Sequence, residues 1–163
     1  MRRVVVTGMG IISPLGQGLD HNWQAITAGK SGIRKIRGFD ASDIPSQVAA
    51  EVPVWEGAEG LFDINKYIEP KEQKKMDKFI HFGYAAAVDA VEDSGYVPAD
   101  EEARCRAGVL IGSGIGGLSN IHDTSLLMAE KGPRRISPFF IPSSLINLIS
   151  GQVSIRYGFK GPN

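Results

Sequence analysis

The 163-residue sequence has little with which to bind a metal or form a disulfide. Its one cysteine, Cys105, allows no intrachain disulfide and no cysteine-based metal cluster, which fits a reduced, cytoplasmic setting. His21, His81 and His122 stand apart, without the paired spacing of metal ligands. We therefore expect no metal centre in this chain.

An excess of one charge and long apolar runs are also missing. The 18 Lys and Arg residues balance the 18 Asp and Glu residues, so the chain as a whole has no bias toward nucleic acid or an anionic membrane. No stretch reaches the roughly 18 uninterrupted apolar residues that a membrane helix needs. These absences predict a globular protein that binds neither nucleic acid nor membrane.

Glycine, in contrast, is abundant, at 20 of 163 residues, and it interrupts apolar runs. The β-branched or apolar runs Arg3–Thr7 and Ala107–Ile111 each end at a glycine and predict strands that are buried on both faces. Between them, Asp77–Ser94 has apolar residues at helical spacing and a face rich in small side chains. A strand, a helix and a second strand at this spacing predict a crossover unit and an α/β fold.

The remaining segments give weaker signals. Asp20 predicts the N-cap of a helix that Gly29 or Gly32 closes, and residues 39–69 predict loops with one or two short strands. Further helices are predicted from Pro70 onward, within Leu118–Glu130, and from about Ser143 to a stop at Gly158.

A glycine-rich segment follows the second predicted strand. Gly112, Gly114 and Gly117 match the G-x-G-x-x-G pattern that holds the pyrophosphate of a dinucleotide at a helix N-terminus. That pattern belongs on the first strand-to-helix turn, however, and here a strand and a long helix precede it. The preferred interpretation is a loop that lets a substrate or another backbone pass closely, and nucleotide binding stays as an alternative.

Cys105 is a second candidate for chemistry because Arg104 and Arg106 flank it, and nearby cations favour the reactive thiolate. No histidine accompanies it in the sequence to act as a base. A structural role in a charged loop is the preferred interpretation.

Basic residues form two groups in this otherwise neutral chain. Lys71, Lys74, Lys75 and Lys78 recur at spacings of three and four, which predicts one face of a helix, and Arg134 and Arg135 follow a Gly-Pro pair. The simplest interpretation is a solvated face. The functional alternative is a docking patch for an acidic protein or a phosphate.

Four motifs, taken in chain order, closely resemble the β-ketoacyl-acyl-carrier-protein synthases, and within them the synthase II type. They are Val4–Gly10 with Ser13-Pro14, Lys71–Asp77, Ile111–Gly117 and Gly132–Pro142. The resemblance implies a thiolase-like, layered α/β/α/β/α fold of two similar halves, normally in a homodimer. Residues 1–163 would be the N-terminal half, ending just before the strand that leads to the nucleophile.

The resemblance also implies a reaction: decarboxylative Claisen condensation of an acyl thioester with malonyl-acyl-carrier-protein in fatty-acid elongation. The family uses a cysteine nucleophile and two histidines, substrates carried as phosphopantetheine thioesters, and neither a metal nor a redox cofactor. Cys105, His21, His81 and His122 do not match those catalytic positions. We therefore expect no catalytic residue in this chain and no activity from the 163-residue segment alone.

Eight residues match family positions that contact substrate or partner. Ile115 resembles the gate beside the nucleophile, and Phe140 and Leu145 resemble residues that line the acyl tunnel. Lys71, Lys74, Lys75, Arg134 and Arg135 match positions that dock the acidic acyl carrier protein. Two other functions stay open: a non-catalytic partner subunit of the chain-length-factor type, and the nucleotide-binding module that would use the Gly112 loop.

Overall fold

The computed structural model describes residues 2–163. Within that range it contains seven α-helices: α1 (Leu19–Thr27), α2 (Pro70–Gln73), α3 (Lys78–Ser94), α4 (Glu101–Arg106), α5 (Leu118–Lys131), α6 (Phe140–Ser144) and α7 (Leu148–Tyr157). The strands are short: β1 (Ile12–Ser13), β2 (Gly16–Gln17), β3 (Ile33–Lys35) and β4 (Val48–Ala50). Single 3₁₀ turns occupy Ile64–Lys66 and Pro133–Arg135.

The described residues form two compact units. The first holds the residues up to Asp63 together with Asp89–Gly95, and the second holds Ile64–Val88 and Tyr96–Asn163. In the first unit, β1 pairs antiparallel with β2, and β3 pairs antiparallel with β4 in the register Ile33↔Ala50. The short strands predicted within residues 39–69 are thus represented by β4.

A buried amide organises the first unit. The Asn22 side chain on α1 donates hydrogen bonds to the carbonyls of Gly16 (2.9 Å) and Gly18 (2.8 Å) and accepts one from the Ser13 hydroxyl. These bonds satisfy the polar groups of the side chain and tie α1 to the β1–β2 hairpin. The helix begins at Leu19, and Gly18 rather than Asp20 takes the cap position, so Asp20 lies in the first turn, where its charge complements the helix dipole.

Both tryptophans also belong to the first unit. Trp23 on α1 is 67% exposed, whereas Trp55 is half-buried. The guanidinium carbons of Arg34 and Arg37 lie 5.6 and 4.8 Å from the centre of the Trp55 ring, within the range of a cation–π interaction.

The second unit has its core between α3 and α7. Ile68, Tyr84, Val88 and Val153 form a buried cluster, and Ile149 packs against the position where a Cβ on Gly83 would lie. The small residue at position 83 therefore lets α7 approach α3 closely, as the small-residue face predicted. Val109 and Ile111 pack against the edge of the same cluster.

The two predicted buried strands are not formed within the described residues. In the run Arg3–Thr7, Val4 is 92% exposed, and in Ala107–Ile111, Leu110 is 97% exposed. A strand needs a neighbouring strand to which its backbone can hydrogen-bond. The backbone of Ala107–Ile111 instead makes two hydrogen bonds to the turn near the C-terminus, one of them from the Val109 amide to the Pro162 carbonyl (2.9 Å). The predicted crossover unit is therefore absent from the described chain.

Two predicted helices are interrupted and one helix was missed. The helix predicted from Pro70 breaks at Lys74–Asp77, and the helix predicted from Ser143 starts at Phe140 and breaks at Leu145, whose backbone is extended. The end of α7 at Gly158, which adopts a left-handed conformation, is as predicted. The short helix α4 was not predicted; the Asp100 side chain caps it by accepting a bond from the Ala103 amide (2.8 Å), and Cys105 lies on it rather than in a loop.

Across residues 2–163, no helix combines the length and the apolar character that crossing a membrane requires.

Two glycines whose Cβ positions face open space allow backbone conformation to be tested apart from packing. Gly95, after α3, has a φ of +62°, and Gly151, inside α7, has ordinary helical geometry; an added Cβ would meet open space at both. We predict that Gly95→Ala lowers the free energy of unfolding by about 1–2 kcal/mol because alanine is strained at positive φ. Gly151→Ala should raise it by roughly 0.5–1 kcal/mol because alanine favours a helix. Urea denaturation followed by circular dichroism measures both, and changes of the same sign would contradict this account.

Candidate functional site

The glycine loop, residues Gly112–Gly117, lies directly against the end of α6. The Gly117 amide donates to the Ser144 carbonyl (3.0 Å). A Cβ on Gly116 would come within 2.7 Å of that carbonyl oxygen and 2.8 Å of a methyl group of Ile146, and Gly116 has a φ of +79°. Only glycine suits both conditions, so the loop and α6 touch backbone to backbone.

A carboxylate already occupies the N-terminus of α5, which follows the glycine loop. Asp77 accepts a hydrogen bond from the Asn120 amide (3.0 Å), and its oxygen would be 3.2 Å from a Cβ on Gly117. This is where a dinucleotide fingerprint would place the pyrophosphate. Asp77 and Ser144 accept from the amides of Asn120 and of the cap residue Gly117, and no strand precedes the loop in the described chain. The geometry therefore does not support nucleotide binding by Gly112, Gly114 and Gly117.

Asn120, on the first turn of α5, joins three elements. Its backbone amide binds Asp77 just before α3, and its side-chain amide donates to the hydroxyls of Ser143 (2.6 Å) and Ser144 (2.9 Å) on α6. Those buried hydroxyls in turn donate to the Phe140 carbonyl, at 3.0 and 2.7 Å. We call this network the Asn120 clamp; sequence reasoning did not identify it.

The predicted substrate residues lie around this contact. Ile115, in the glycine loop, is 68% exposed, and Leu145, immediately after α6, is 46% exposed. The packing of Gly116 against Ile146 brings their two segments side by side. Phe140 is half-buried at the start of α6, where its carbonyl accepts the two serine hydroxyls. An apolar surface of mixed exposure thus adjoins the loop.

The predicted basic residues are arranged differently from a helical stripe. Lys71 lies on α2, but the break at Lys74–Asp77 separates it from Lys78, so the single-face prediction is wrong. Lys75 instead pairs with Glu72 (2.5 Å) and lies 5.2 Å from the centre of the Phe139 ring. Phe139 follows the exposed turn of Arg134 and Arg135 by four residues, so Lys75 and the arginine turn adjoin the same start of α6.

The histidines and the cysteine show no arrangement for metal binding. Among the described residues no cluster of three or more His, Cys, Asp or Glu side chains could hold an ion. Burial lowers the pKa of His81, an effect that its bond to the Gln73 carbonyl (3.2 Å) and the nearby Asp77 partly offset. Because a carbonyl oxygen only accepts, the ring nitrogen that faces Gln73 donates its hydrogen to the end of α2. Cys105 is exposed on α4.

Comparison with known proteins covers the whole chain. The model of the beta-ketoacyl synthase N-terminal domain matches residues 1–163. The chain is 49% identical over all 163 residues to 3-oxoacyl-[acyl-carrier-protein] synthase 2 of Rhizobium meliloti, of which it covers 39%. It is 47% identical to the protein of the same name from Vibrio cholerae, with 99% of the chain and 37% of that relative covered. The chain thus spans well under half the length of these relatives.

Solved structures show the same fold. The ishigamide ketosynthase/chain length factor superposes with a TM-score of 0.76 at 25% identity, over 99% of this chain and 38% of that one. A β-ketoacyl synthase from Burkholderia phymatum superposes with a TM-score of 0.73 at 25% identity, again over 99% and 38%. These ketosynthases confirm the predicted thiolase-like α/β class. Because the family model matches residues 1–163, the chain belongs to the β-ketoacyl synthase family and corresponds to its N-terminal domain.

Proposed function

We propose that this chain is the N-terminal part of a condensing enzyme that elongates fatty acids. The observation that carries the proposal is the 49% identity, over every residue of the chain, to a 3-oxoacyl-[acyl-carrier-protein] synthase 2. In the reaction, an acyl group moves from its thioester to a cysteine thiolate. A malonyl thioester then loses CO₂, its carbanion attacks the acyl carbonyl, and the cysteine thiolate leaves. The substrates are phosphopantetheine thioesters, and no metal or redox cofactor takes part.

The contribution of these 163 residues is to bind the acyl chain and its carrier. Cys105, His21, His81 and His122 do not match the family's catalytic positions, so the nucleophile and the two catalytic histidines belong to other parts of the enzyme and the isolated chain is inactive. Ile115, Phe140 and Leu145 line the acyl pocket. The exposure of Ile115 between glycines supports this role because a tunnel for a flexible chain needs apolar side chains on a close-fitting backbone.

The basic residues dock the acidic acyl carrier protein. Lys71, Lys74, Arg134 and Arg135 are exposed, and Lys75 bridges their two segments through Phe139. Charges at the rim of an interface steer the encounter more than they anchor it. A ketosynthase of the same fold, AntDE, has been solved with its acyl-carrier protein AntF, at a TM-score of 0.72 and 23% identity.

We further propose that the enzyme works as a homodimer in the cytoplasm. Exposed apolar side chains on α5 and α6, such as Leu126 and Ile141, suit a subunit interface. The non-catalytic partner-subunit alternative is less well supported, since the curated relatives at 39–49% identity are synthases, whereas the chain length factor complex matches at 25%.

A chimera tests the proposed function directly. Residues 1–163 replace the matching segment of the Rhizobium meliloti synthase, and condensation of acyl and malonyl carrier-protein thioesters is measured. We expect activity within about tenfold of the parent, because the segment supplies binding rather than the reacting groups. A chimera that folds and dimerises without condensing would contradict the proposal.

Charge reversal tests the docking patch in that chimera. Lys74→Glu with Arg134→Glu should raise KM for carrier-protein substrates about tenfold, with kcat and the use of small coenzyme A thioesters retained, because rim charges act on encounter. Lys35→Glu with Lys66→Glu makes the same change in net charge at other exposed lysines and serves as the control. An equal rise in KM from both double variants would show that carrier-protein binding depends on net charge and not on the docking patch.

Enlarging Ile115 tests the acyl pocket. Ile115→Phe should lower kcat/KM for the longest accepted acyl chains at least about tenfold relative to short ones, because the added ring fills the tunnel. Ile155→Phe, on an exposed position of α7, is the matched control and should leave the profile unchanged. Steady-state kinetics over a series of acyl lengths gives the answer, and an unaltered profile would refute the assignment.

A further inference from the structure

The Asn120 clamp lies beside the contact between the glycine loop and α6. Where the glycine loop meets α6, the contact is between backbone atoms: the Gly117 amide donates to the Ser144 carbonyl, and a Cβ on Gly117 would lie 2.7 Å from the Ser144 Cα. No side chain at Gly116 or Gly117 can adjust the gap between the glycine loop and α6. The Asn120 side chain, in the first turn of α5, crosses that gap by hydrogen-bonding to α6.

The geometry of the clamp is closed and specific. The Asn120 amide group has two hydrogens, and its two short bonds go to Ser143 and Ser144; the Phe140 carbonyl is more distant, at 3.4 Å. Each serine hydroxyl accepts from Asn120 and donates to Phe140. Such a network is satisfied only in one arrangement, so it fixes the position of α6 relative to α5.

The base of the clamp is fixed as well. The Asn120 backbone amide donates to Asp77, which also accepts at its carbonyl from the Ile80 amide (3.0 Å) at the start of α3. Asn120 therefore cannot shift along α5 without breaking a charge-assisted bond. A movement of α6 relative to α5 therefore requires the hydrogen bonds between the Asn120 side chain and the two serine hydroxyls to break.

Ile115 and Leu145 flank the gap that the clamp holds. Both side chains are substantially exposed, and both belong to the segments that meet at Gly116 and Ile146. We propose that Asn120 is a positioning residue that sets the length of acyl chain the enzyme accepts, by holding α6 and Leu145 at a fixed distance from the Ile115 loop. This inference rests on the proposed function, and it assigns Asn120 a role in specificity without contact to substrate.

The kinetic test uses the chimera and the ratio of kcat/KM for long and short acyl chains. Asn120→Ala releases α6, so the ratio should rise at least about fivefold while kcat for short chains is kept within about threefold. Ser143→Ala with Ser144→Ala, which removes the other end of the clamp, should shift the ratio the same way, and combining all three changes should add little. The double-serine variant decides the question if Asn120→Ala does not fold.

Thr124→Ala is the matched control because it removes a hydroxyl beside the clamp whose bond to the Asn120 side-chain oxygen is long, at 3.4 Å. It should leave the ratio unchanged. An equal loss of kcat/KM for all chain lengths in the Asn120 and serine variants would identify a merely structural hub and overturn the inference.

A second measurement separates this inference from the function itself. In the 163-residue chain carrying Cys105→Ser, Ile115→Cys and Leu145→Cys, nitroxide labels on the two introduced thiols report their separation by dipolar broadening. We expect Asn120→Ala to widen the distance distribution and Thr124→Ala to leave it narrow. An unchanged distribution overturns the positioning role, whereas an inactive chimera with a widened distribution refutes the proposed function and leaves the clamp in place.

Discussion

The direct backbone contact between the glycine loop and Ser144 is the constraint on which the second unit depends. It requires glycine at positions 116 and 117, and it requires α6 to end where its carbonyl can be reached. The break at Leu145 follows, because an unbroken helix would use the Ser144 carbonyl for its own hydrogen bond. At the start of α5, the amides of Gly117 and Asn120 then donate to Ser144 and Asp77.

Side-chain periodicity predicted the helices whose residue pattern is contained within the helix itself. Helices α1, α3, α5 and α7 appear near their expected positions because amphipathic spacing and terminal glycines act within each element. Strands depend instead on a partner: Val4 and Leu110 have the apolar character of buried strand residues, yet sequence pattern does not reveal whether a neighbouring strand is present. The lysine spacing failed for a related reason, since the break after Gln73 ends the helix on which the single-face prediction relied.

The site was only partly accessible to sequence reasoning. The Gly112 loop was recognised as a place of close approach, and the structure identifies α6 as the backbone that approaches it. Ile115, Phe140 and Leu145 came from resemblance, because apolar residues near glycines are equally typical of a core. The role of Asn120 could not be predicted from the sequence, because its hydroxyl partners lie 23 and 24 residues away. An isolated asparagine on a helix is most simply interpreted as a solvated residue.

The placement of the two tryptophans has a practical consequence for following the folding of this chain. Trp23 and Trp55 both lie in the first unit, one in solvent and one beneath two guanidinium groups. Intrinsic indole emission therefore records the first unit, whereas far-ultraviolet ellipticity is dominated by the helices of the second. Superimposable transitions from the two signals would mean that the units melt as one cooperative system, and separate transitions would resolve two thermodynamic domains within 163 residues.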